Sequence, residues 1–280
     1  MSNILKDLST PALSKAIKAN RFEWYGYLGR SPKAELHDSP NLAWLLTGVP
    51  FPLLNTVVRT QGTRENVDQI IEETVAHFKS KNVTRFTWWV EPGTRPTDLR
   101  DRLLAHGFTY AEGPPGMAVD LLALNEDITA PSDLRIKQVR DAGTLKQWVS
   151  TLFSGFELPD TSEGAFFDLL IGLGFDLPLR NYVGFLNEEP IATAELFLGA
   201  GVAGIYGVVT APKARRQGIG AALTLAPLRE ARAMGYRIGI LHSSEMGLGL
   251  YRRLGFQEYC KMSHYVWGGK RADNGTSDGT

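Results

Sequence analysis

Two short stretches hold residues whose types and spacing suit chemistry. The first is "RRQGIGAAL", residues 215–223, where two arginines, a glutamine and two glycines precede a helical pattern. The first turn of a helix carries unpaired N–H groups and a partial positive charge, and together these bind phosphate. Gly218 and Gly220 leave the backbone bare for an approaching diphosphate, and Arg215, Arg216 and Lys213 add local positive charge. The second stretch is "LYRRLGF", whose Tyr251 stands 31 residues beyond Gly220. A tyrosine there is either a packed aromatic or a proton donor. A phosphate loop one strand away makes a joint site with it a coherent expectation.

Neither stretch matches the commonest nucleotide motifs. No Gly-Lys-Ser/Thr follows the glycines, the third glycine position of a dinucleotide fingerprint is Leu223, and residues 236–241 contain no acid. The surrounding elements therefore have to give the loop its meaning. "GVAGIYGVVT" reads as a strand leading into the loop, and a helix then runs to about Met234, with Gly235 at its C′ position. "RIGILHSS" reads as a buried parallel strand, "EMGLGLYRRLG" as a short helix and "FQEYCKMSHYVW" as a final strand. This is a βαβ crossover that places the helix N-terminus and the tyrosine at the carboxyl ends of two parallel strands.

Upstream, "LRIKQV", "NYVGFLN" and "PIATAELFLG" read as strands, with "AGTLKQWVSTLFSGF" and "SEGAFFDLLIGLG" as helices. The first half repeats the late part of this order. "PLLNTVVRTQ", "RFTWWVEP" and "FTYAEGPPGMAVDLLAL" read as strands around the helices "TRENVDQIIEETVAHFKSKN" and "RPTDLRDRLLAHG". "LRDRLLAHGF" parallels "LGLYRRLGF", which points to an internal duplication. Where the second half has "RRQGIG" the first has "RTQGTREN", and Leu103 occupies the place of Tyr251. Leu5, Leu8, Leu13 and Ile17 are spaced for an amphipathic helix near the N-terminus.

Bulk properties narrow the function classes. A chain of 280 residues is comfortable for two domains. Thirty basic residues balance thirty acidic ones, so no global field favours nucleic acid or an anionic membrane. Cys260 is the only cysteine, which excludes an internal disulfide and a thiolate metal cluster and fits a reducing, cytoplasmic compartment. No run approaches the length of an apolar membrane span.

"VVTAPKARRQGIGAAL", "RIGILHSS" and "LGLYRRLGF", taken together, resemble the GNAT superfamily of acetyl-CoA-dependent N-acetyltransferases. Arg215, Gly218 and Gly220 match the family's loop, preceded by Pro212, and Tyr251, Gly255 and Phe256 match its later tyrosine motif. The resemblance implies an α+β fold. It would have two tandem GNAT-like domains, each a mostly antiparallel twisted sheet with a parallel βαβ core flanked by helices. Residues 1–124 would be a degenerate copy without the loop and 125–133 a linker. Residues 134–268 would be the catalytic domain and 269–280 a disordered tail.

It also implies roles. Acyl-CoA, most simply acetyl-CoA, would be the co-substrate, and no metal would be needed. Val208, Val209 and Thr210 would meet the pantetheine arm through their backbone, and strand N–H groups would polarise the thioester carbonyl. The loop of Arg215, Arg216, Gln217, Gly218, Ile219, Gly220 and Ala221 would hold the pyrophosphate. Ser244 stands where the family often has a cofactor-contacting asparagine. Tyr251 would protonate the departing thiolate. The acceptor, a small-molecule or peptide amine, must lose a proton before attack. Glu195 is the first candidate base, with His242 and Glu157 behind it. The first half would stabilise the second and wall the acceptor pocket, with Trp88 or Trp89 as a lining residue or as core. Two alternatives remain open: a non-catalytic acyl-CoA-binding module, and a tandem transferase with another acyl donor.

Overall fold

The computed structural model describes residues 4–91 and 93–268, so the expected disordered tail lies outside the described residues. The elements run α1 (Thr10–Leu28), β1 (Glu35–Asp38), β2 (Leu42–Leu46), β3 (Thr56–Thr60), α2 (Val67–Ser80), β4 (Phe86–Val90), α3 (Leu99–Ala105) and β5 (Thr109–Asp120). They continue with β6 (Arg135–Gln138), α4 (Ala142–Phe156), α5 (Glu163–Ile171), β7 (Leu179–Leu186), β8 (Glu189–Gly199) and β9 (Val202–Thr210). The chain then closes with α6 (Ile219–Ala233), β10 (Ile238–His242), α7 (Leu248–Arg253) and β11 (Gln257–Trp267). The fold is mixed α/β with mostly antiparallel pairing, as the resemblance implied.

The chain forms two compact units that do not follow the sequential cut expected at residues 125–133. One unit holds the N-terminal segment through Ala34 together with Pro114–Lys261, and the other holds Glu35–Gly113 with the end of β11 from Met262. The reason lies in α1. Its apolar stripe, Leu13, Ala16 and Ile17, is buried with Ala118 of β5, Val202 of β9 and Ile238 and Ile240 of β10. Asn20, wholly buried, donates from Nδ2 to the carbonyl of Gly199 at 2.9 Å, and the amide of Leu5 donates to Gly201 at 3.0 Å. Helix α1 starts at Thr10, so Leu13 and Ile17 of the expected stripe lie on it while Leu5 and Leu8 precede it, and the helix completes the unit built from the second half of the chain.

In that unit β6, β7, β8 and β9 pair antiparallel in turn, β9 pairs parallel with β10, and β10 pairs antiparallel with β5. Two hairpin turns hold left-handed residues: Asn187 and Glu188 (φ 50° and 63°), then Ala200 and Gly201 (φ 51° and 74°). Helix α6 packs Ile219, Leu223 and Leu228 into a core shared with Leu196, Ile205 and Leu241. Its first turn begins after Gly218 and it ends before Gly235, at φ +91°, as the glycines in the sequence suggested.

The other unit holds the same kind of crossover. β3 and β4 are parallel and joined through α2, while β2 flanks β3 antiparallel and β1 flanks β2. Strands β1 and β2 are absent from the sequence reading: four residues of mixed polarity and "LAWLL" give no alternation to detect. "PLLNTVVRTQ" opens as a 3-10 turn over Pro52–Leu54 before β3 begins. Trp88 and Trp89 are both buried, and the Trp88 indole donates to Thr60 Oγ1 at 2.9 Å. Trp88 belongs to the core of this unit.

Candidate active site

Strands β9 and β10 pair over only three positions, the last being Ile205 with Leu241. Beyond them β9 continues from Tyr206 to Thr210 against β8 alone, whereas β10 ends at His242. The cause is a bulge. The β8–β9 register shifts between Thr193 and Glu195, Gly207 adopts φ +54°, and the Thr193 hydroxyl donates to the Gly207 carbonyl at 2.6 Å. A bulge bends its strand and raises local twist, so the two parallel strands part at this point. The edges of Val208, Val209 and Thr210 that face away from β8 are left without a ladder partner from β10.

The loop after β9 brings the start of α6 to this opening. Ala222 is the first α6 residue whose amide bonds back, to Gly218 at 3.1 Å, so Ile219, Gly220 and Ala221 present amides that a helix cannot satisfy internally. Arg216, left-handed at φ 63°, and Gln217 are exposed. Arg215 is engaged differently: Nε donates to the Thr210 carbonyl at 3.2 Å and Nη2 to the Gly155 carbonyl at 3.3 Å. Its guanidinium ties the loop to β9 and α4. The two glycines also differ. Gly218, at φ +78°, has no room for a Cβ, which would lie 1.7 Å from the Thr129 carbonyl oxygen. At Gly220 a Cβ would meet only Leu250 and Thr210 Oγ1, at 3.3 and 3.4 Å.

Tyr251 sits in α7 with its ring in the core beside Phe256, 5.9 Å between centroids. The ring packs so closely on Gly247 that a Cβ there would stand 2.7 Å from Cε2. Burial pushes the phenol up to about 12, against the pull of the Thr224 hydroxyl, so it stays protonated at neutral pH. Ser244 is exposed, and its Oγ accepts from the Gly247 amide at 3.3 Å in the turn before α7.

Glu195 of β8 pairs with Tyr206, the first residue of β9 beyond the last pair with β10. It therefore lies at the root of the opening. Its carboxyl is buried and receives the Trp24 indole N–H at 2.6 Å on Oε1. Burial pushes its pKa up to about 7, with the Trp24 hydrogen bond opposing. A carboxylate so poised is an effective base near neutrality. His242 is not: burial and the nearby Arg21 charge bring its pKa down to about 3, and its buried Nε2 has no hydrogen-bond partner among the described residues. An imidazole that weak in basicity holds a proton poorly. Glu157 is exposed at the left-handed C-cap of α4.

The sequence reading passed over the α1 residues that complete this region. The Trp24 ring stacks on Tyr206 at 5.0 Å and 7°, and the Tyr206 hydroxyl donates to Asn20 Oδ1 at 2.7 Å. Nothing in the spacing of "ANRFEWYGYL" could announce a partner strand so far along the chain. The signal that was available is a tryptophan and an asparagine on the apolar stripe of an amphipathic helix.

In the second unit β3 and β4 pair at Thr56–Thr87 and Val57–Trp88, and the chain beyond β3 is tied back at Arg95. The amide of Gly62, just past β3, donates to the Arg95 carbonyl at 3.0 Å, and Gln61 bridges Arg95 in parallel fashion. Asn66 Oδ1 accepts the Thr63 amide at 2.8 Å, in the turn that precedes α2. Leu103, in the position of Tyr251, is fully buried in the core.

Residues 144–256 match the model of the acetyltransferase (GNAT) family. No curated protein matches the chain. A GCN5-related N-acetyltransferase from Kribbella flavida superposes with a TM-score of 0.66 at 20% identity, over 90% of this chain and 96% of that one. Another GCN5-related N-acetyltransferase, from Sphaerobacter thermophilus, gives 0.59 at 14% identity over 94% of each chain. A tandem GNAT protein from the clavulanic acid biosynthesis pathway gives 0.56 at 15% identity, over 86% of this chain and 85% of that one. At these identities the likeness is one of fold. The match to the GNAT acetyltransferase family model thus covers residues 144–256, within a fold similar to that of a tandem GNAT protein.

Proposed function

We propose that this chain is an acyl-CoA-dependent N-acyltransferase that passes an acetyl group directly to an amine. The observation that carries the reading is the parting of β9 and β10 with unsatisfied amides at its mouth and a buried, near-neutral carboxyl at its root. The residues present fit the co-substrate: the amides of Ile219, Gly220 and Ala221 would hold the pyrophosphate, Arg216 adds charge, and the open edge of Val208, Val209 and Thr210 would run along the pantetheine arm. Bound there, acetyl-CoA supplies an activated acyl group. Glu195 takes the proton from the acceptor ammonium at Oε2, the oxygen that Trp24 does not engage. Tyr251 gives its phenolic proton to the departing sulfur.

We assign no catalysis to the unit that holds β3 and β4, because its strand ends are closed at Arg95 and Leu103 has no proton to give. The acceptor is a small-molecule or peptide amine. Cys260 is the single cysteine of the sequence, which suits a reducing, cytoplasmic setting. The test is acetyl-CoA-dependent release of free thiol, followed against a panel of amines and polyamines. Amine-stimulated release supports the reading. Tight acetyl-CoA binding without release for any amine favours a binding module and overturns it.

A further inference from the structure

We infer that Trp24, delivered from the N-terminal helix, is a positioning residue that holds the Glu195 carboxyl with one oxygen committed and the other free for the acceptor. The inference rests on Glu195 as the base, and its support is geometric. The indole N–H meets Oε1 at 2.6 Å. The indole is itself clamped: it stacks flat on Tyr206 at 5.0 Å and edge-on to Tyr25 at 4.9 Å. Tyr206 is fixed through its hydroxyl to Asn20, and Asn20 is fixed to the Gly199 carbonyl. A chain of contacts thus runs from the β8–β9 turn through α1 back to the middle of β8. It sets the rotamer of a side chain that would otherwise be free to turn.

Among the titratable groups around the Trp24–Tyr206 stack, Glu195 is the one brought near neutrality. On α1, Arg21 is cationic, Tyr27 is raised by burial, and Tyr25 is a further phenol. On β9, Tyr206 is raised well above its ordinary value by burial. On β10, His242 stays neutral. Asn181 of β7 and Trp148 of α4 carry no charge, and the Trp148 indole is bonded to the Ala194 carbonyl at 3.1 Å. A hydrogen bond to the ionised form favours that form, so removing the indole N–H raises the pH at which Glu195 becomes a base.

Two measurements test this. In the full-length wild-type protein without ligand, the Trp24 Nε1–H resonance follows pH with a midpoint near that of the Glu195 side-chain carbon, which is assigned by its loss in Glu195→Gln. In Trp24→Phe, the acidic limb of kcat/KM for the amine moves up by about one unit, and KM for acetyl-CoA stays within about twofold. A Trp24 resonance that ignores pH, or a limb that does not move while Glu195→Gln is inactive, overturns the role of Trp24 alone. A Glu195→Gln enzyme with the wild-type rate and profile overturns the base and the inference with it. A uniform loss of rate at every pH in Trp24→Phe, with the limb in place, assigns Trp24 to packing and overturns the inference.

Discussion

Gly218 and Gly220 look equivalent in the sequence, yet the structure separates them. Gly218 is required by its left-handed backbone and by the Thr129 carbonyl pressed against it. Gly218→Ala is expected to lower stability by about 1–3 kcal/mol, read as a fall in the denaturant midpoint. Gly220→Glu is expected to keep the fold and lose acetyl-CoA binding in calorimetry, because it places a carboxylate where the pyrophosphate would lie. Tyr251→Phe is expected to lower kcat by about 100-fold with little change in KM for acetyl-CoA, measured by steady-state thiol release. Glu195 predicts a pH effect with a definite sign. Its folded pKa, near 7, lies above the ordinary 4.5, so its contribution to stability is fully present below 4.5 and is lost as pH rises through 7. Glu195→Gln should therefore raise thermal stability at pH 8 and not at pH 4, by about 3 kcal/mol at most, while it abolishes the amine-dependent rate.

Among the elements, α1 carries the largest surprise. Asn20 is wholly buried, donates to the β8–β9 turn and accepts from Tyr206. Asn20→Ala leaves those groups unpaired and is expected to cost about 2–3 kcal/mol, measured by urea unfolding. The elements around the loop were legible because their signals are local. Glycines mark both ends of α6, the apolar run of β10 marks a buried strand, and "NEEP" marks a hairpin. Three features were not legible. The parting of β9 from β10 depends on a bulge at Gly207, whose register is set by Thr193 on another strand. The engagement of Arg215 with two backbone carbonyls depends on where α4 ends. The Trp24–Glu195 contact joins residues 171 positions apart.

For the whole molecule, the two halves seen in the sequence are not the two units of the fold, because α1 and part of β5 belong with the second half. A fragment covering 134–268 would lose both, exposing Ile238 and Ile240 and the edge of β10 that pairs with β5. It is expected to be unfolded or aggregated by circular dichroism and size exclusion, whereas the intact chain gives a cooperative transition. The central claim is that the opening between β9 and β10 performs amine acylation, and one measurement meets it most directly. Acetyl-CoA-dependent thiol release should be recorded against an amine panel for wild type, Glu195→Gln, Tyr251→Phe and Gly220→Glu side by side. The account predicts that at least one amine raises release well above background hydrolysis and that all three variants lose this increment. An amine-dependent rate that survives unchanged in Glu195→Gln and Gly220→Glu would contradict it.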